Sequence, residues 1–200
     1  MSIMLDYIAA AMIFGILSLN VARIQTNLNA MMYQNTFRYS TQTNATELAR
    51  QIEHDFLKIG YKVNGQKIFI ADISHLQYRS DIENKGSVVL VDYSIGTTVQ
   101  DLATVNPRDF PLLRNVDGTT ITQNFGLTKF KLSYFDSTFR SMTATPFTEA
   151  DSLKKIRFIN VEFLVESPEP VDQNTGDTTQ LWSRISWEKL LTPQNLKINL

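Results

Sequence analysis

Residues 3–22 read IMLDYIAAAMIFGILSLNVA, and the reading of this stretch decides the fold. It contains no Lys or Arg, and its one charge is Asp6. At a helical rise of about 1.5 Å per residue it covers ~30 Å, the thickness of a bilayer's hydrocarbon core. The apolar character runs all round the helix instead of along one stripe. That favours a membrane or filament-core segment over a helix buried in its own domain. A secretory signal is the poorer reading, because the basic n-region is missing and no small-residue cleavage site follows.

The helix does not stop with the apolar run. From Arg23 to Ile59 there is neither Pro nor Gly, and Gly60 is the next break. Leu28, Met31, Met32, Asn35 and Tyr39, then Leu48, Ile52, Phe56 and Ile59, lie near helical spacing. The polar run Ser40–Thr46 interrupts them and predicts a local loosening, with Asn44 or Thr46 capping a restarted helix. Taken as continuous, the rod runs over roughly 50 residues, or ~80 Å. Gly60 is a natural stop, and Lys58 suits the negative end of the helix dipole.

Beyond Gly60 the apolar period changes to two. Strands are predicted at Lys67–Ala71, His75–Ser80, Ser87–Ser94, Thr128–Phe135, Ile156–Glu166 and Leu181–Glu188, all rich in β-branched and aromatic residues. Glu83-Asn84-Lys85-Gly86 reads as a hairpin turn, and Asn115-Val116-Asp117-Gly118 as another between Leu112 and Thr119. In the 156–166 strand, Phe158, Val161, Phe163 and Val165 are assigned to the core, and Arg157, Glu162 and Glu166 to solvent. Thr97–Pro111, Thr138–Asp151 and Ser167–Thr179 read as surface loops. The class is α+β: a long N-terminal helix, apolar in its first half and packed by its distal half on an antiparallel β-sheet domain. Residues 1–60 form the helix and residues 61–200 the sheet domain.

Composition narrows the function. The 200 residues are 43% hydrophobic and 20% charged, as expected of a folded chain. A formal net charge of -1, with Lys and Arg scattered, argues against nucleic acid as the partner. With no cysteine there is no disulfide scaffold, thiolate metal site or cysteine nucleophile.

The sequence resembles the type IV pilin-like family, closest to the minor pilin W and pseudopilin J type, at low similarity over nearly the whole chain. Three places carry the resemblance. The first is the apolar helix with an acidic residue near its start; Asp6 is fifth if Met1 is removed, where the family usually has Glu. The second is Ile52-Glu53-His54-Asp55-Phe56-Leu57-Lys58-Ile59-Gly60-Tyr61, similar to the family's helix end, where an acidic-aromatic pair precedes Gly-Tyr. The third is the ending: a strand like Lys155–Glu166, a loop, a strand through Trp182–Trp187, then Leu190-Leu191-Thr192-Pro193-Gln194-Asn195-Leu196.

The resemblance implies a structural subunit of a pilus-like filament or secretion pseudopilus. Its partners would be other pilin-like subunits, homo- or hetero-oligomeric, with the bacterial inner membrane holding it before assembly. It would then reside in a periplasmic or cell-surface filament. Asp6 would pair with a neighbouring subunit's N-terminal amine, since a lone carboxylate in lipid is costly. Ala9, Ala10, Ala11 and Gly15 would permit close helix approach, although small residues are also ordinary helix composition. The family's basic leader ending in Gly does not precede Met1, which implies a mature form or a lost leader. Arg23, taken by the positive-inside rule, would place the sheet domain in the cytoplasm, opposite to the family's orientation. The alternative is a single-pass membrane-anchored binding protein whose exported β-domain does not polymerise. A third reading buries the apolar helix in a soluble oligomer.

Catalytic chemistry is not expected. His54 lies between Glu53 and Asp55 and reads as part of a solvated charge cluster; His75 opens a strand and reads as an edge residue. Asp81, Glu83 and Asn84 with Gly86 faintly resemble a calcium loop, but the spacing fails the EF-hand pattern and a hairpin turn is preferred. Asp172-Gln173-Asn174-Thr175-Gly176-Asp177 is a second oxygen-rich loop. No phosphate loop, nucleophile elbow or zinc-binding helix occurs. No cofactor is expected, calcium being the one candidate.

Overall fold

The computed structural model describes residues 2–96, 104–142, 146–147, 149–171 and 181–197. One helix, α1 (Ser2–Leu57), runs unbroken for 56 residues. The loosening expected at Ser40–Thr46 does not occur, and neither Asn44 nor Thr46 caps a new helix. Thr41 and Thr46 instead return their hydroxyls to the carbonyls of Phe37 and Gln42, at 2.7 and 2.8 Å, which satisfies them without breaking the ladder. Asn44 reaches across to the carbonyl of Phe125 at 3.3 Å and so ties the helix to the sheet. Gly60 takes a left-handed backbone (φ 76°) just after the helix, the conformation for which glycine is suited.

Among the described residues the sheet has eight antiparallel strands. They are β1 (Ile68–Ala71), β2 (His75–Ser80), β3 (Val89–Ile95), β4 (Phe110–Val116), β5 (Thr119–Phe135), β6 (Ser141–Met142), β7 (Phe158–Glu166) and β8 (Arg184–Leu191). The order is β1-β2-β3-β4-β5-β7-β8, with β6 on β5. Both predicted hairpin turns form: Ser80 pairs with Val89 and Val116 with Thr119. Asp117 and Gly118 both have positive φ, 51° and 85°, the two-residue geometry that matches strand twist.

Several assignments change. Strand β4 occupies residues whose sequence predicts the end of a loop and a turn, and β5 starts nine residues before the predicted Thr128. The polar run Thr119–Asn124 hides that first half, because it is largely exposed and pairs only with β4. The Thr138–Asp151 loop holds β6 and leads into a short helix, α2 (Ala150–Leu153). On β7 the buried set is Ile159, Val161, Phe163 and Val165. A period of two cannot place Phe158 with Val161, so Phe158 lies on the other face, stacked on Phe139 at 4.1 Å.

The distal half of α1 lies across β8, β5 and β7. Its Ala45, Leu48, Ala49, Ile52, Phe56 and Ile59 share one core with Tyr78, Tyr93, Leu112, Leu132, Val161 and Phe163. Phe56 sits edge-on to both Tyr93 and Tyr78, with ring centres 5.3 and 6.2 Å away. At the other end of the sheet, Leu132 donates its backbone N–H to the Ile73 carbonyl at 2.7 Å, so the β1–β2 turn closes against β5.

Candidate assembly surface and the polar joints that hold it

The proximal half of α1 packs against no other element among the described residues. Every described side chain from Ile3 to Met32 is exposed; Ile3 is 69% and Phe14 73% accessible. That length corresponds to ~45 Å of free helix. Its most apolar window has a mean hydropathy of 1.8, and the helix is long and apolar enough to cross a membrane. Two polar side chains within it bond to the helix's own backbone. Asn20 donates to the Ile16 carbonyl at 2.9 Å and Thr26 to the Ala22 carbonyl at 3.0 Å, which reduces the cost of placing them in an apolar environment. Asp6, Ala9, Ala10, Ala11 and Gly15 are all exposed here, and a Cβ at Gly15 would meet nothing within 4 Å. One helical turn separates Asp6 from Ala10, and another separates Ala11 from Gly15. The first anchor to the domain is Tyr33, whose hydroxyl donates to Glu169 at 2.6 Å.

Two buried carboxylates fix this rod and the loops around it. Asp55, expected in a solvated cluster with His54, has a side chain only 3% exposed. It faces the sheet and accepts from the Tyr93 hydroxyl at 2.5 Å and from Arg114 Nε at 2.8 Å. His54 reaches the same carboxylate at 3.0 Å from the solvent side. Gln51 extends the joint, donating to Tyr93 at 3.1 Å and exchanging bonds with Gln123. Burial, with Asp55 beside it, pushes the Tyr93 hydroxyl well above its usual value. Partial burial works against the charge of Arg114, but Asp55 and Tyr93 outweigh it and hold the guanidinium above its ordinary range.

Glu166, assigned to solvent from its place in the strand, is 3% exposed. It ends β7, where alternation fails because Asn106 and Arg108 from the segment before β4, and Arg184 from β8, close over it. Arg108 meets it at 2.6 Å, Arg184 at 2.9 Å and Asn106 at 3.0 Å. These contacts tie the segment before β4 to the start of β8. Asp109 lies in the same segment and is fully buried, and neither carboxylate oxygen has a hydrogen-bond partner among the described residues. Burial pushes its carboxyl up to about 6; nearby Thr104 eases the shift and the field of Glu166 adds to it. Because the folded value lies above the unfolded one, this group's unfavourable contribution grows as pH rises from about 4 through 6.

His75 is not at an edge. Strand β2 lies between β1 and β3, and His75 Nε2 sits 3.0 Å from Asp92. Asp81 organises its own turn: it accepts from Lys62 and from the backbone N–H groups of Lys85 and Gly86, each at 2.9 Å. The Lys62 bond and those amides hold its carboxyl below the usual range. Glu83 pairs with Lys85, and Asn84 adopts φ 57°. Among the described residues no group of three or more His, Asp or Glu is placed to hold a metal ion. The oxygen-rich loop 172–177 lies outside the described residues.

Sequence reasoning missed both carboxylate joints. An acid at Asp55 beside the apolar Ile52, Phe56 and Ile59 was the available signal, since it falls on the buried face of the helix. No known family model matches the sequence, and no curated protein matches it either.

Proposed function

We propose that this chain is a non-enzymatic structural subunit of a type IV pilus-like filament or type II secretion pseudopilus, assembling through the free half of α1. The observation that carries this reading is a wholly exposed apolar helix continuous with one docked in the domain core. A flexible tether would suffice to hold a domain at a membrane. A rod continuous with the core fixes the domain's position relative to whatever packs on the apolar half. The subunit waits in the inner membrane and is then transferred into a filament whose core is made of such helices, with the sheet domain outward.

Asp6 is the charge to be matched. An unpaired carboxylate within a helix in lipid costs about 2.5–3.5 kcal/mol at the bilayer centre, so a cation from a neighbour, such as its terminal amine, stabilises the assembled state. Asp6→Ala is expected to lower the yield of sheared surface filaments several-fold while leaving the unfolding midpoint of the sheet domain unchanged. Normal filament yield from that variant would remove the pairing role. Recovery of the native chain solely as a membrane monomer would favour the single-pass binding protein.

A further inference from the structure

A cleft of ≈ 610 Å³ opens between the turn after α1, the end of α2 and the 3-10 turn Gln194–Leu196. Four cations line it, Lys67, Lys154, Arg157 and Lys197, and among the described residues no carboxylate side chain does. In a chain of net charge -1, this concentration of one sign is local. Asp151 answers Lys154 at 3.3 Å, whereas the other three cations have no ion-pair partner among the described residues. The floor is apolar, formed by the buried side chains of Ile68, Leu153, Ile156 and Leu196.

Two of the cations are held in place. The Lys67 stem lies so close over Gly60 that a Cβ there would come within 2.7 Å of it, and its ammonium donates to the Asn195 carbonyl. Arg157 Nη1 donates to the carbonyls of Lys154 and Ile156, at 2.6 and 2.8 Å, which leaves Nε and Nη2 for a ligand. Side chains fixed in this way lose less freedom when a ligand arrives.

We propose that this cleft binds a small polyvalent anion, an organic phosphate or polycarboxylate of metabolite size. Its charged groups meet Lys67, Arg157 and Lys197, and its carbon skeleton rests on the apolar floor. The volume falls within the ~300–1,000 Å³ range of small-ligand sites. Headgroups of the anchoring bilayer are out of reach, because α1 runs roughly 50 Å from Ala22 to its end beside the cleft.

Isothermal titration of the full chain in detergent, with fructose 1,6-bisphosphate and separately with citrate, tests the proposal. Saturable binding at one site per chain is expected with at least one probe, weakening as salt rises. The preferred probe distinguishes phosphate from carboxylate recognition. Arg157→Gln is expected to weaken binding about tenfold, the loss of one charge-assisted contact. Lys197 is exposed, so Lys197→Gln tests the site without touching the core and is expected to weaken binding as well. Lys131→Gln, on an exposed position of β5, is expected to change nothing. Absence of saturable heat with both probes, or an equal loss in Lys131→Gln, would overturn the assignment. So would binding of hexaglutamate with neither small anion, which would make the cleft a protein-docking surface.

Discussion

Asp55→Ala is expected to destabilise the domain by roughly 3–5 kcal/mol, read as a lower urea midpoint at unchanged slope. The carboxylate is the joint between α1 and two strands, since Tyr93 is on β3 and Arg114 on β4. Removing it strands both partners. Arg114 has a side chain 18% exposed, too little for water to replace the lost oxygen fully, and Tyr93 is fully buried. The cost is mainly that of leaving a charge without its partner, not the net worth of the pair. Asp55→Asn keeps the shape and one acceptor and should lose less. A fall below about 1 kcal/mol for Asp55→Ala would mean that apolar packing alone seats the helix.

The second large effect is predicted at Gly126. This residue has φ 73°, and a Cβ built on it would lie 2.3 Å from the Glu166 carbonyl oxygen. It stands where β5 changes neighbours: the residues up to Gln123 pair with β4, Leu127 pairs with both β4 and β7, and Lys129 onward pairs with β7, both ladders shifting register close by. Gly126→Ala therefore meets two penalties: a left-handed backbone costing about 1–2 kcal/mol, and an overlap with main chain that cannot rotate away. Relief would require moving the end of β7, where Glu166 holds Arg108 and Arg184. A total loss of about 3 kcal/mol or more is expected in thermal or urea unfolding. Gly118→Ala is the control, because φ is 85° there but the Cβ meets nothing within 4 Å. It should show the backbone penalty alone, and equal losses at the two sites would contradict the steric part of the argument.

The parts of the fold legible in the sequence were those set by long, consistent patterns. The apolar run, then a stretch from Arg23 to Ile59 without Pro or Gly, then Gly60, specified the rod and its end. Alternating apolar residues specified β2, β3 and β7, and Asp117-Gly118 specified a hairpin. Illegible elements were those whose local sequence is polar but whose tertiary pairing is strong. The first half of β5 is a run of Thr, Gln and Asn held by β4, and Ser40–Thr46 stays helical because Ala45 and Leu48 dock on the sheet. Asp55 and Glu166 were read by residue type as solvent-facing. Both are buried because Arg114 in one case, and Arg108 with Arg184 in the other, come from segments distant in sequence. The basic cleft was hidden for the same reason, since Lys67, Arg157 and Lys197 meet only in the folded chain.

Deleting residues 1–25 tests most directly the claim that the apolar half of α1 serves contacts outside the domain. The shortened chain is expected to be soluble and largely monomeric in sedimentation. It should unfold cooperatively, with a stability within about 0.5 kcal/mol of the same domain in the full chain, because every described side chain removed is exposed. The full chain, by contrast, should partition into membranes or assemble. A shortened chain that unfolds, or that still sediments with membranes, would contradict the account.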